Sequence, residues 1–176
     1  MPAIIPVTTD TRRASARELI AEYLHWINDS ARREYGLDFD VAAMLASDIA
    51  DAGKFEPPCG RFYLVEDGPA TVAVGCLKRL NEKTGEVQRM YVRPECRGKG
   101  IARLLVDTLI ADARAIGYKT LRLESLKFLA AAHSLYHSAG FVDIDPYAGN
   151  SMQKYHAPDA APAYRNSVVF MELALD

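Results

Sequence analysis

The sequence predicts a mixed α/β (α+β) protein, a central sheet with helices on both faces. Three observations carry the prediction. Segments of helical apolar spacing alternate with short runs rich in β-branched and aromatic residues. Three of those runs follow one another across tight turns, as in a meander. In the second half two further helices lie between strands, which covers both faces of a mixed sheet.

Taken in order, Ile4 to Val7 reads as a short strand. Ser15-Ala-Arg-Glu18 has the form of a capping box, and Leu19, Ile20, Tyr23, Leu24, Trp26 and Ile27 continue at helical spacing until Gly36. Asp40 is placed to cap a second helix carrying Val41, Met44, Leu45 and Ile49 and ending at Gly53, after which Pro57-Pro58 breaks the backbone. Arg61 to Glu66 and Thr71 to Leu80 flank Asp67-Gly68 and read as a hairpin. Asn81 to Gly85 is a further turn, and Glu86 to Val92 the next strand. Pro94 ends it, and Arg97-Gly-Lys-Gly100 opens a helix with Ile101, Leu105, Leu109, Ala113 and Ile116 on one face, closed by Gly117. Thr120 to Glu124 is a strand, Phe128 to Ala139 a helix stopped by Gly140, and strands follow from Phe141 and from Val168 to Leu175. Asn150 to Asn166, with Pro158 and Pro162, is the most linker-like stretch.

The chain has 176 residues, expected to form a single domain over 1–176. Apolar residues make up 49% and charged residues 25%, which excludes a disordered chain or a disulfide scaffold. The net charge of −2 argues against nucleic acid as a partner, because phosphate neutralisation needs a basic excess. Cys59, Cys76 and Cys96 are odd in number and form no CxxC pair, which fits a reduced, cytoplasmic protein with no metal site. There is no apolar run of membrane-spanning length and no secretion signal at the start, so no membrane partner is expected. A homodimer is compatible with all of this.

Chemistry concentrates at Arg97-Gly-Lys-Gly-Ile-Ala102, between a strand and a helix start. Glycines there permit positive φ and close approach of a ligand, and the free N–H groups of the first helical turn suit phosphate. Arg93, Arg97, Lys99 and Arg103 add local positive charge against Glu95 and Asp107. A P-loop would need Ser or Thr after Gly-Lys, where Gly100 stands. A dinucleotide fingerprint starts with Gly98 and Gly100 but finds Arg103 at its third glycine, although Glu124 stands where a ribose-binding acid would.

The segment Glu86-Val-Gln-Arg-Met-Tyr-Val-Arg-Pro-Glu-Cys-Arg-Gly-Lys-Gly-Ile-Ala102 resembles the central motif of the GNAT family of N-acetyltransferases, a strand followed by [QR]xxGx[GA]. Ala132-His-Ser-Leu-Tyr-His-Ser-Ala-Gly-Phe141 is similar to the family's A-x-x-L-Y-x-x-x-G-F segment. The resemblance covers about residues 61 to 145. Pro57-Pro58, Tyr147 and the ending Phe170-Met-Glu-Leu also look like bacterial members with unassigned substrates. It implies a mostly antiparallel sheet whose one parallel pair splays apart to admit acetyl-CoA. The coenzyme A pyrophosphate would lie on backbone N–H groups of Arg97, Gly98, Lys99, Gly100, Ile101 and Ala102. The pantetheine arm would run along Met90, Tyr91 and Val92, and the thioester would sit between the Glu86 strand and Tyr136.

The chemistry suits these residue types. An alkyl ammonium must lose a proton before it attacks a thioester, at a cost of about 4.6 kcal/mol at pH 7. Glu86, eleven residues before Arg97, stands where some family members place a base. A backbone N–H near Met90 would stabilise the oxyanion. Tyr136 stands at the family's acid position, to protonate the departing thiolate. On the residues alone Glu86 also reads as the solvent-facing end of a turn, and Tyr136 as a core aromatic beside Phe128, Ala132 and Leu135. Leu129 replaces an asparagine that often contacts pantetheine, and His133 is a candidate to take over that contact. Cys96 has no adjacent histidine to activate it and reads as a surface or half-buried thiol. The acceptor would lie among residues 14 to 53 and 144 to 166, which offer Tyr23, Trp26, Asp38, Asp40, Tyr147, Tyr155, His156 and Tyr164. The expected activity is transfer of acetyl from acetyl-CoA to a primary amine of a small molecule or peptide, without metal. The alternatives are a non-catalytic acyl-CoA sensor on the same fold, an NAD-dependent oxidoreductase and a partner-binding scaffold.

Overall fold

The structure is a computed structural model and describes residues 1–147, 155 and 158–176. Seven strands form one sheet: β1 (Ala3–Pro6), β2 (Arg61–Asp67), β3 (Ala70–Asn81), β4 (Thr84–Val92), β5 (Thr120–Leu126), β6 (Val142–Ile144) and β7 (Val168–Ala174). Their order is β1-β2-β3-β4-β5-β7-β6. Only β4 and β5 pair in parallel; every other neighbouring pair is antiparallel. One parallel pair inside an antiparallel sheet is not a doubly wound dinucleotide fold, and the oxidoreductase alternative loses its scaffold. The helices are α1 (Asp10–Tyr35), α2 (Val41–Ala50), α3 (Ile101–Ile116), α4 (Ala130–Ser138) and α5 (Ala161–Ser167).

Helix α1 begins six residues ahead of the Ser15 box. The Thr9 side chain accepts from the Arg12 N–H and the Thr9 carbonyl from the Arg13 N–H, so the first turn is already capped. Ser15 lies inside the helix and bonds back to the Thr11 carbonyl. At the other end Gly36 takes φ of +66° and its N–H returns to Arg32, as expected. Asp40 caps α2 through the Ala43 N–H at 2.8 Å. Helix α2 stops at Ala50, and Gly53 falls in a 3-10 turn, Ala52–Phe55, that buries Phe55. The segment read as a linker contains α5, which buries Tyr164 and Ser167.

Side chains alternate across the sheet. Leu64, Val74 and Tyr91 pack under α1 and α2. Val65, Ala73 and Val92 face the other way, against Ile101 and Leu105 of α3. Val87, Leu121 and Leu123 join that α3 side. Alternation therefore turns Glu86, Arg122 and Glu124 toward the α1 face.

In the middle of β4 the alternation breaks. Val74 pairs with Tyr91, but Cys76 pairs with Gln88, so β4 carries an extra residue there. Arg89 sits in this bulge with φ of +55°, the one non-glycine residue with positive φ among the described residues. Its side chain is buried among α2 partners: Nε lies 2.7 Å and one terminal nitrogen 3.3 Å from the Asp48 carboxylate. Lys54 adds a second cation to Asp48 at 2.9 Å. No helix of the described residues is long and apolar enough to cross a membrane, and no three metal-ligating side chains cluster among them. The three cysteines are free thiols; Cys96 is buried.

Candidate active site

β4 and β5 pair only from Thr84–Glu86 to Thr120–Arg122. Past that point the ladder stops, and the gap opens into a cavity of about 580 Å³. Met90, Tyr91 and Val92 line one wall, and Glu124, Leu135 and Tyr136 the other. The third side is the loop before α3. Gly98 and Gly100 hold φ of +76° and +78° there, which aims successive peptide groups in directions an L-residue disfavours. Among the described residues, no N–H from Gly98 to Arg103 donates a backbone hydrogen bond, and α3 has no side-chain cap. Free donors at a helix start, at the mouth of a long cavity, fit a phosphate-bearing ligand.

The four cations grouped by the sequence separate in space. Arg93 turns to Glu22 and the Thr71 carbonyl, away from the loop. Arg103 lines the cavity while gripping Asp107 at 2.8 Å. Arg97 donates to the Val92 carbonyl and stacks 4.9 Å from the Trp26 ring. Lys99 is exposed and does not line the cavity. Cys96 lines it beside the loop.

Tyr136 is buried, edge-on to Phe141. Its hydroxyl has no hydrogen bond to any described residue, and burial pushes its pKa up. A buried hydroxyl that reaches a cavity without a protein partner is a donor kept for a ligand. His133 is not on the cavity wall. Its ring meets Ser125 Oγ at 3.1 Å, and burial pushes its pKa down. Leu129 lines the cavity directly, so nothing in the described residues replaces the missing asparagine by way of His133.

Glu86 does not face solvent. It is 3% exposed, accepts from Gln88 and from the Tyr147 hydroxyl at 3.2 Å, and lies 3.6 Å from Lys78. It lines a second, smaller cavity of about 70 Å³ beneath α1, not the larger one. Glu124, one strand over, lines both. The Tyr164 hydroxyl donates to it. Burial raises its pKa to about 7, with the Tyr164 bond opposing, the Glu86 charge adding and Arg89 opposing. Sequence reasoning considered Glu124 only as a ribose-binding acid. Its period-two relation to Arg122 and Leu123 on β5 is the signal that would have turned it toward the site.

Of the residues offered for the acceptor side, Tyr23 lines both cavities and Trp26 the larger one. The Tyr147 and Tyr164 hydroxyls donate to Glu86 and Glu124. Asp38 is taken up by Asn28 and Arg32, and Asp40 by its helix. Tyr155 is buried, its carbonyl accepting from Asp40 N–H, and His156 lies outside the described residues.

A family model described as the acetyltransferase (GNAT) family matches residues 16–141. An N-acetyltransferase of uncharacterised function from Schizosaccharomyces pombe is 32% identical over 164 residues, 89% of this chain and 85% of that protein. Another, from Dictyostelium discoideum, is 39% identical over 93 residues, 53% of this chain; the match spans only 38% of that longer protein. Among solved structures, a GNAT family acetyltransferase from Elizabethkingia anophelis with acetyl-CoA bound superposes with a TM-score of 0.63 at 16% identity, over 99% of this chain and 98% of that one. The splayed strand pair and the open phosphate loop fit what the resemblance implies, and the chain belongs to the acetyltransferase (GNAT) family, whose acyl donor is acetyl-CoA.

Proposed function

We propose that the protein acetylates a primary amine of a small molecule or peptide by direct attack within a ternary complex, with Glu124 as general base and Tyr136 as general acid. The observation that carries this is the position of Glu124. It is a carboxylate on the wall shared by the donor cavity and the smaller one beneath α1. Acetyl-CoA, when bound, supplies an acetyl group activated as a thioester. The loop would hold its phosphates through backbone N–H groups from Gly98 to Ala102, the Arg97 N–H being taken by the Pro94 carbonyl, with Met90, Tyr91 and Val92 along its arm.

Glu124, with a pKa of about 7, is matched to taking a proton from an ammonium near neutral pH. It accepts that proton first, and the amine nitrogen, its lone pair freed, then forms its bond to the acetyl carbon. Tyr136 gives its proton to the sulfur as the carbon–sulfur bond breaks, and regains one from the new amide nitrogen. Atoms and charge balance with one proton released per turnover. Glu86, held by Gln88, Tyr147 and Lys78, contributes negative charge beside the base, which keeps the Glu124 pKa high.

Thermal unfolding with acetyl-CoA, coenzyme A and NADH, followed by thiol release with a panel of amines, tests the reading. Acetyl-CoA at about 100 times its Kd adds about 2.7 kcal/mol, and NADH adds nothing. Tyr136→Phe and Glu124→Gln keep that shift and lose turnover by about 100-fold or more. If Glu86→Gln is inactive while Glu124→Gln turns over normally, the base is Glu86. Stabilisation by acetyl-CoA with no thiol release from any amine returns the sensor reading.

A further inference from the structure

The cavity of about 70 Å³ beneath α1 is lined by Glu86, Glu124 and Arg89, together with Tyr23, Gln88 and Met44. Three cations and three carboxylates stand around it, but they do not pair one to one. Glu86 has Lys78 at 3.6 Å, and Asp48 has Lys54 at 2.9 Å. Asp48 is shared with Arg89, whose Nε lies 2.7 Å from it; Glu124 has no ion-pair partner among the described residues, and Arg89 and Glu124 form no ion pair with each other. Arg89 gives Nε and one terminal nitrogen to Asp48. Its other terminal nitrogen has no hydrogen bond among the described residues, although the side chain is only 8% exposed. A buried guanidinium with unused donors is costly unless something accepts from them. The backbone reinforces the point. Without the bulge, alternation would send residue 89 to the α3 side; the positive φ turns it to this face at a steric cost.

We propose that the acceptor is a small zwitterionic amino acid, its carboxylate held by the free edge of Arg89 and its ammonium by Glu124. This rests on the acetyltransferase reading above and narrows it to one substrate class. A simple amine would place its single positive charge next to Arg89 with nothing to accept from the guanidinium. An acid without an amine would face Glu124 and Glu86. A molecule with both charges a few bonds apart answers both walls and leaves the nitrogen beside the base. The space suits it. About 70 Å³ is room for roughly five water-sized positions, close to the bulk of glycine or alanine, and a larger side chain has the donor cavity to extend into. Tyr23, on the wall of both cavities and with no hydrogen-bond partner for its hydroxyl among the described residues, is a second donor for the carboxylate.

The test uses the wild-type protein and needs no variant to fold. Acetyl-CoA-dependent thiol release is measured for the standard free amino acids, for their C-terminal amides and for the decarboxylated amines of the same side chains. At least one free amino acid should exceed its amide and its amine in kcat/KM by about 100-fold or more, as a site built to bond a polar group rejects the analogue lacking it. Arg89→Lys should shrink that ratio to about tenfold or less through KM, because a lysine loses the forked geometry. Its folding is checked by the acetyl-CoA thermal shift. Amides or simple amines that react as well as the free acids overturn the inference and leave acetyl transfer standing. Acetyl-CoA binding with no amino acid acetylated also overturns the inference. A protein that neither binds acetyl-CoA nor releases thiol with any acceptor overturns the proposed function, and this inference with it.

Discussion

The two halves of the site are built by different means. The donor half is made of backbone: the edge of β4 past the last β5 pair, and N–H groups of a loop between β4 and α3, all within residues 84 to 103. The proposed acceptor half is made of side chains brought from far apart. Arg89 meets Asp48 across 41 positions, Glu124 meets Tyr164 across 40, and Glu86 meets Tyr147 across 61. A backbone site tolerates any side chain that keeps the turn and the strand edge. A side-chain site changes with each substitution, so one scaffold can keep its donor and exchange its acceptor.

The largest effect that would sharpen this contrast is at Glu124. Glu124→Gln should lower kcat by about 1,000-fold, in the range general bases contribute, with coenzyme binding unchanged. In the wild type the acid limb of the kcat/KM profile should fall below about pH 7, and the variant should lose that limb. Stability moves the opposite way. Because the folded pKa lies above the ordinary value of 4.5, the group's contribution is fully present below about pH 4.5 and is lost as pH rises through about 7. The loss amounts to about 3 kcal/mol, so the glutamine variant should unfold at higher temperature than wild type at pH 8. A variant less stable at pH 8 would mean that the carboxylate is well solvated in the folded protein, and the base assignment would fall.

Next in size is Asp48→Ala, which leaves a buried Arg89 and a half-buried Lys54 with no counter-charge. Breaking one side of such a buried pair costs about 3–5 kcal/mol. Burial pushes the Asp48 pKa up, but Arg89 and Lys54 outweigh it and hold it below the ordinary carboxylate range. Its stabilising contribution is therefore present above about pH 4 and disappears as pH falls through the lowered value. Denaturant unfolding should show a large difference between the two proteins at pH 7 that narrows as the pH falls below about 4. Equal stability at pH 7 would mean that the bulge holds Arg89 in place without Asp48.

The same division explains what could be read in advance. The Arg97 to Ala102 loop, the α3 apolar face and Gly117 are contiguous signals, and the structure has each where the spacing puts it. The site role of Glu124 depends on Tyr164, in α5, within a stretch whose prolines and alanines look like a linker. Arg89 depends on a bulge. Its trace in the sequence is the consecutive apolar run Met90-Tyr91-Val92, which violates a period of two, but nothing local says that the violation turns an arginine toward α2. The start of α1 was missed because two capping signals compete: Thr9 and Ser15 are both acceptable caps, and the earlier one adds turns to a helix that packs on β3 and β4.

In the donor half, Gly100→Ala tests whether the backbone does the holding. A Cβ there meets no atom within 4 Å, so any penalty comes from φ of +78° and not from crowding. The expected cost is about 1–2 kcal/mol of stability, together with roughly tenfold weaker coenzyme A binding as the loop relaxes toward negative φ. An alanine variant with normal stability and normal affinity would show that the loop does not need the left-handed residue.

The smallest effect is the most discriminating for the comparison. Arg103 grips Asp107 through both oxygens at 2.8 Å, but the side chains are 49% and 51% exposed. An arginine placed four residues before an aspartate is also the less favourable direction along a helix. Arg103→Ala should therefore change stability by no more than about 0.5 kcal/mol. Because Arg103 lines the donor cavity beside the loop, its loss should weaken coenzyme A binding by a few-fold at low salt. That deficit should shrink at about 1 M salt, where the Debye length is roughly 3 Å. The Gly100→Ala deficit, being conformational, should stay the same at both. Calorimetric titration of coenzyme A into the two variants at low and high salt separates the contributions. If Arg103→Ala costs more affinity than Gly100→Ala at both salts, side-chain charge and not backbone geometry holds the phosphates, and the donor half is built on the same principle as the acceptor half.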